Sequence, residues 1–129
     1  MARFPFPLLP AEFEIPDEWL GEAGMKGFTP LGRGYRSAAA AVLVPLREIE
    51  PPFRSREHPK DWRGFDRARL IDVLRGIVAA AEIPPVPLFA LPPLEFWQPS
   101  PFRYRVKNGV HRFYGSVAAG FECLPAEIS

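Results

Sequence analysis

The stretch FRYRVKNGVHRFYGSVAAG, residues 102–120, decides the fold of this chain. Apolar and basic side chains alternate over residues 102–107, which is the period-two pattern of a half-buried strand. Asn108 and Gly109 then predict a turn, in which Asn108 caps the following helix. Apolar residues recur in that helix at the i, i+3, i+4, i+7 spacing of one buried face, and Gly120 predicts its left-handed end. These apolar positions are Val110, Phe113, Tyr114, Val117 and Ala118.

The turn between this strand and this helix is also a candidate anion site. The N–H groups of the first turn of a helix have no carbonyl partner within the helix and favour a negative charge. His111 and Arg112 add polar groups on the face away from the apolar stripe. We therefore expect a phosphate group at Asn108, Gly109, Val110, His111 and Arg112. The alternative is a solvated basic face with a structural histidine, which is the more common reading of such residues at a helix start.

Further segments complete a predicted domain over residues 41–129. A helix is predicted from Asp66, its cap, to about Glu82, because an apolar stripe runs along it and two prolines follow it. Apolar runs predict strands at residues 41–46, 86–91 and 121–128, and Pro125 places the last of these at a sheet edge or a bulge. The order of strands and helices predicts a small α+β domain, a mixed sheet flanked by helices.

The first 40 residues form a predicted arm that is rich in proline and aromatic residues. One short helical turn is expected near Asp17, ended by Gly21 or Gly24. The aromatic side chains need burial, so we expect the arm to dock on its own core, the alternative being a partner chain in a homodimer. Residues 11–24 are acidic and residues 101–112 are basic, which suggests that the two segments pair.

The amino-acid composition of the chain argues against several classes of function. A chain of 129 residues with 47% hydrophobic and 24% charged residues fits one globular domain with its own core. A net charge of +1 gives no global signal for nucleic acid or membrane, and no segment has the length of a membrane helix. One cysteine, Cys123, and two histidines argue against a disulfide framework and a histidine metal cage. We expect a reduced, cytoplasmic setting.

Three segments carry a resemblance to a known family. The string VKNGVHRFYGSVAAGFECLPAEI, residues 106–128, resembles the shared segment of the ParB N-terminal domain and sulfiredoxin superfamily. In that segment a strand ends in a glycine, followed by a His-Arg or Arg-Arg pair, a helix of small residues, and a short strand. PLREIEPPFR, residues 45–54, resembles the family's opening strand and its proline-containing loop that leads to an arginine. Residues 70–87 resemble the helix that precedes its next strand.

The resemblance implies a ParB/sulfiredoxin-like fold and a nucleotide site. By position, His111 and Arg112 would hold the phosphates, Gly109 would allow close backbone approach, and Arg54 would be the loop arginine. Arg69 would substitute for part of the phosphate contacts of sulfiredoxins. The implied cofactor is a nucleotide triphosphate or diphosphate, ATP or CTP, with Mg²⁺ as a further expectation. The implied function is an NTP-dependent switch or a ParB-like nuclease, with DNA as a partner.

The chain departs from the family at one important position. Sulfiredoxins carry their reactive cysteine, and ParB-type members a glutamate, where this chain has Val110. We therefore expect no sulfinic acid reductase activity, since that chemistry needs a thiolate. No motif singles out an acid for Mg²⁺ or water activation, and the candidates are Glu48, Glu50, Glu57, Asp61 and Asp66. The alternative function is a catalytically degenerate protein-interaction module.

Overall fold

The computed structural model describes residues 1–54, 63–92 and 101–129. Within them the chain forms a mixed α/β fold with three α-helices, a two-stranded hairpin and a five-stranded sheet. In chain order the elements are β1 (Ala2–Pro5), β2 (Glu12–Ile15), α1 (Asp17–Ala23), β3 (Val42–Pro45), a 3-10 turn (Leu46–Glu48), β4 (Ile49–Glu50), α2 (Arg67–Val78), β5 (Val86–Ala90), β6 (Tyr104–Val106), α3 (Val110–Ala119) and β7 (Cys123–Ile128).

The five-stranded sheet has the order β3-β7-β5-β6-β4 and is mixed, as the sequence predicts. The pairs β3 with β7 and β5 with β6 are antiparallel, whereas β5 with β7 and β4 with β6 are parallel. The expectation that Pro125 marks an edge or a bulge is wrong, because β7 pairs on both sides. Pro125 lies opposite Leu43 of β3, and the ladder to β5 begins one residue later, at Ala126. A proline is tolerated there because that ladder does not yet need its missing N–H group.

The helices α2 and α3 pack against each other, and α3 also contacts β7 and the hairpin. Their contact is close, since a Cβ at Gly115 of α3 would lie 3.1 Å from the Cγ1 atom of Val73 on α2. Phe113 is fully buried and Val110 and Val117 are half-buried, so the predicted packing face of α3 is confirmed.

The start of α2 is confirmed, but its end is earlier than predicted. The Asp66 carboxylate accepts a hydrogen bond from the N–H of Arg69 at 3.1 Å, as expected for the cap. The helix ends at Val78 rather than near Glu82. Ala80 takes a left-handed φ of 54°, its N–H donates to the carbonyl of Ile77, and the next N–H donates to that of Gly76. This is a Schellman ending, which usually uses glycine, so the sequence offered no signal for it.

The first 40 residues contain more structure than the predicted helical turn. They form the β1–β2 hairpin and α1, which ends at Gly24 in the left-handed conformation and packs on α2. Phe13, Ile15 and Trp19 belong to the same buried cluster as the side chains of α2 and α3.

The suggested pairing of the acidic arm with the basic strand is wrong. Glu22 instead pairs with Arg67 and Arg75 of α2. On β6, Arg105 pairs with Glu50, its neighbour across the parallel β4–β6 ladder, and Arg103 just before β6 pairs with Glu48.

Candidate functional site

A cleft of about 1100 Å³ lies along α2, between the segment that follows this helix and the first turn of α3. Its volume is slightly above the usual range for small-molecule sites, about 300–1,000 Å³. Every residue expected from the sequence to contact a phosphate lines this cleft: Arg54, Arg69, Asn108, Gly109, Val110, His111 and Arg112. The structure therefore brings together residues that are up to 58 positions apart in the chain.

The first turn of α3 forms one wall of the cleft. Gly109, rather than the predicted Asn108, is the cap residue, and no side chain of the described residues caps this helix. Gly109 has a φ of 139°, and a Cβ there would lie 2.9 Å from the Cγ1 atom of Val86, so only glycine fits. The first intrahelical bond is donated by Phe113 to the carbonyl of Gly109 at 2.9 Å. The preceding N–H groups carry the positive end of the helix dipole.

His111 links the start of α3 to the start of α2. Its Nε2 atom accepts a hydrogen bond of 3.0 Å from the backbone N–H of Asp66, and its ring lies 6.1 Å from that of Phe65. A nitrogen that accepts carries no proton, so in this arrangement only Nδ1 can donate. The side chain thus has a structural role as well as a place in the wall of the cleft.

Arg112 is held by backbone carbonyl groups. Its Nη1 atom donates to the carbonyls of Pro84 at 3.1 Å and Pro85 at 2.9 Å, and its Nη2 atom donates to that of Asn108 at 3.2 Å. Tyr35 donates to the same Pro84 carbonyl at 2.7 Å. Arg112 therefore joins the α2–β5 connection to the turn before α3, and most of its donors are already used.

Arg54 differs from Arg112, because its guanidinium group lies against aromatic rings. The Cζ atom is 4.7 Å from the ring centroid of Phe65, 5.0 Å from that of Tyr114 and 5.9 Å from that of Phe13. Within the described part of the chain, Nη1 is buried without a hydrogen-bond partner, and no carboxylate lies within ion-pair distance. Burial raises the pKa of Tyr114, and the positive charge of Arg54 opposes that effect.

Four charged residues on α2 and just after it also line the cleft, of which the sequence singled out only Arg69. The others are Asp72, Arg75 and Glu82. Arg75 pairs with Glu22 at 3.5 Å, whereas Arg69 is exposed and has no ion pair among the described residues. The i, i+3 spacing of Arg69, Asp72 and Arg75 could have indicated that they share a helix face.

Of the five acids expected from the sequence, the three that the structure describes do not line the cleft. Glu48 and Glu50 pair with arginines on and next to β6, and Asp66 caps α2. Glu57 and Asp61 lie outside the described residues. Among residues 1–54, 63–92 and 101–129 no group of three or more side chains is placed to hold a metal ion.

The remaining lining residues are small or apolar. They are Phe53, Gly64 and, on the second half of α2 and in the segment after it, Val73, Gly76, Ala79, Ala81, Ile83 and Pro84. A Cβ at Gly76 would lie 3.2 Å from the Cδ1 atom of Ile83, so the absence of a side chain brings this segment close to the helix. Along α2 the lining runs from Arg69, which has no ion pair among the described residues, to Gly76 and Ala79, about 10 Å away at 1.5 Å per residue. Arg75 also lies at that end, but its charge is paired with Glu22.

Comparisons with protein-family models, with curated proteins and with solved structures found nothing that matches this chain. The chemistry of the cleft is therefore argued from its own residues. In the part of the chain that the structure describes, no helix has the length and apolar character to cross a membrane.

Proposed function

We propose that this protein binds a phosphate-bearing small molecule, a nucleotide, in the cleft between α2 and the first turn of α3. The observation that carries the proposal is the convergence of Arg54, Arg69 and the uncapped helix start on one cleft. Each of these favours an anion for a different physical reason: a half-buried cation with no counter-charge among the described residues, an exposed cation, and the positive end of a helix dipole. The resemblance to the ParB N-terminal domain and sulfiredoxin superfamily implies the same ligand class.

The change in lining along α2 supports a nucleotide over a bare phosphate. The phosphates would lie beside Arg69 and the start of α3, and the nucleoside would lie over Gly76, Ala79 and Ile83. Small-molecule sites combine an apolar surface with a few convergent polar groups in this way. Asp72 and Glu82 are acceptors for the N–H groups of a base or a ribose hydroxyl.

The proposal concerns ligand binding. Whether the bound ligand is also hydrolysed is examined with the same set of ligands. A nuclease or nucleotide hydrolase needs an oriented nucleophile and usually Mg²⁺, and Asp72 and Glu82 are the acids of the described residues that line the cleft. Val110 lacks both the thiol and the carboxylate of the related families, so sulfinic acid reduction is not proposed. DNA as a source of the phosphates, and a homodimer, remain predictions.

A second function is an interaction module, and Phe53 is the observation that favours it. This side chain is 87% exposed at the cleft next to Arg54, and a large apolar ring in that position suits contact with a partner surface. A partner that carries a carboxylate could use the same cations. Binding of nucleotides separates the two functions.

The test is a thermal-shift panel of ATP, ADP, CTP and GTP with and without Mg²⁺, together with a short DNA duplex, followed by calorimetry. A ligand at one hundred times its dissociation constant stabilises the fold by about 2.7 kcal/mol. Arg69→Ala should weaken binding by about 1 kcal/mol, roughly fivefold, since Arg69 is exposed and its contact is partly screened.

Arg47→Ala is the matched control. Arg47 is also exposed, has no ion pair in the described ranges and does not line the cleft, so this variant makes the same change in net charge. Equal affinities for Arg69→Ala and Arg47→Ala would place the ligand elsewhere. No binding of any nucleotide or duplex at millimolar concentration would leave the interaction module as the function.

A further inference from the structure

The N-terminal hairpin lies against one of the residues that line the cleft, Arg54. Phe13 of β2 is 1% exposed, and its ring lies 5.9 Å from the guanidinium carbon of Arg54, which lines the cleft. The rings of Phe13, Phe65 and Tyr114 also contact one another, with centroids 4.9 to 6.4 Å apart and interplanar angles of 70 to 76°. We call these three residues the aromatic cage. It joins β2, the residue before Asp66, and α3.

The rings of the aromatic cage lie against the guanidinium group of Arg54, where an ordinary buried ion pair would have a carboxylate. The ring faces attract the guanidinium group, but they carry no net negative charge and cannot neutralise it. Within the described residues Arg54 has no acidic partner and its Nη1 atom has no acceptor, although that atom is buried. A buried donor atom without an acceptor is costly, so in the described part of the chain this arrangement favours the approach of an external negative group to the half-buried guanidinium of Arg54.

Two backbone contacts fix the main chain around Arg54. The Tyr114 hydroxyl donates to the carbonyl of Pro52 at 2.8 Å, two residues before Arg54. On the other side Gly64 has a φ of 90°, and a Cβ there would lie 2.7 Å from the Cβ of Arg54. Among the described residues, the guanidinium group is thus positioned by packing against aromatic rings and not by a carboxylate.

We propose that the aromatic cage positions Arg54 as the cation that contacts the phosphate group, which makes Phe13 a positioning residue and the hairpin a part of the binding site. The inference rests on the proposed function. It assigns to residues 12–15 a role in ligand affinity in addition to their place in the core.

The test is a double-mutant cycle read out as affinity for inorganic pyrophosphate by calorimetry. Phe13→Leu removes the ring face, and Arg54→Met removes the charge at similar length. Because a cation–π contact is worth about 0.7–1.4 kcal/mol in this setting, Phe13→Leu should weaken pyrophosphate binding about three- to tenfold. In the Arg54→Met background, Phe13→Leu should have no further effect, since the group it positions is absent.

Phe4→Leu is the matched control. Phe4 lies on the same hairpin, is half-buried, and has its ring 5.5 Å from that of Phe13 without a ring contact to Arg54. It should bind pyrophosphate like wild type, although both leucine variants lose stability. A loss of affinity equal in Phe4→Leu and Phe13→Leu, or equal in the two Arg54 backgrounds, would show that the hairpin acts only through general stability and would overturn the inference.

Hydrogen exchange gives a second measurement that needs no hairpin variant. Pyrophosphate should slow amide exchange in Glu12–Ile15 of the wild type, and Arg54→Met should abolish that protection. If the wild type binds pyrophosphate but amide exchange in the hairpin is unchanged, the role of the cage is overturned and the proposed function is not. A wild type that binds neither pyrophosphate nor a nucleotide overturns the proposed function itself, so the two failures are distinguishable.

Discussion

Replacing Arg112 by alanine should destabilise the fold by about 2–3 kcal/mol. The guanidinium group donates to the carbonyls of Pro84, Pro85 and Asn108. The Pro84 carbonyl keeps the hydroxyl of Tyr35 as a donor, so the substitution leaves two carbonyls without their bond. Hydrogen bonds to a charged group contribute about 1.5–3 kcal/mol each when well shielded, and a half-buried site is worth less than that.

The assay is urea unfolding without ligand, which reports the free energy of unfolding and the slope m. Arg112→Lys is the informative second variant, because a lysine ammonium keeps the charge but cannot reach three separate carbonyls with fixed geometry. It should recover less than half of the lost stability. Arg47→Ala should unfold within about 0.5 kcal/mol of wild type, as surface substitutions do. If Arg112→Ala also falls within that margin, Arg112 is not the link between the α2–β5 connection and α3, and its donors are open to a ligand.

Three further predictions concern the core, the turn and pH. Phe113→Ala should cost about 3–5 kcal/mol in chemical denaturation, since the ring is fully buried, and a loss below 1 kcal/mol would contradict its packing. Gly109→Ala should lower the free energy of unfolding by about 1–3 kcal/mol, because of its positive φ and the contact with Val86. Gly120→Ala should cost less, since the nearest atom is 3.5 Å from the added Cβ. Equal unfolding midpoints of the two variants would argue against the close approach. Burial raises the pKa of Tyr35 to about 12, above an ordinary value near 10. Stability should therefore fall by about 2 kcal/mol between pH 10 and pH 12 in the wild type and by less in Tyr35→Phe, whereas parallel pH curves would refute it.

The parts of the fold that the sequence predicted are those with local signals. The strand β6, the helix α3 and its end at Gly120 follow from periodicity and a glycine, and the cap of α2 follows from Asp66. These features depend on residues within one or two turns of each other, so a short window of sequence contains their cause.

The missed features depend on partners far away in the chain. The hairpin residues 2–5 and 12–15 are separated by a loop rich in leucine and proline, and their pairing is stabilised by Phe13 packing on Tyr114, 101 residues later. The two-residue strand β4 exists only because β6 lies beside it. The end of α2 likewise depends on a distant partner. A left-handed Ala80 opposes local preference, and the N–H of Ile83 just after it bonds to the carbonyl of Arg36.

In the candidate site too, some features follow from the local sequence and others depend on distant contacts. The seven residues that the sequence singled out all line the cleft, but the sequence did not indicate Asp72, Arg75 or Glu82. What each guanidinium can offer a ligand depends on what else it touches: Arg112 has three carbonyl acceptors, whereas Arg54 has aromatic rings and an Nη1 atom with no acceptor in the described part of the chain. Carbonyl oxygens already use the donors that an anion would need, and ring faces do not, because they hold the cation without occupying its N–H groups. The phosphate contact of Arg112 therefore stays a prediction, and it competes with the three carbonyl groups that Arg112 already contacts, whereas the Nη1 atom of Arg54 has no acceptor among the described residues.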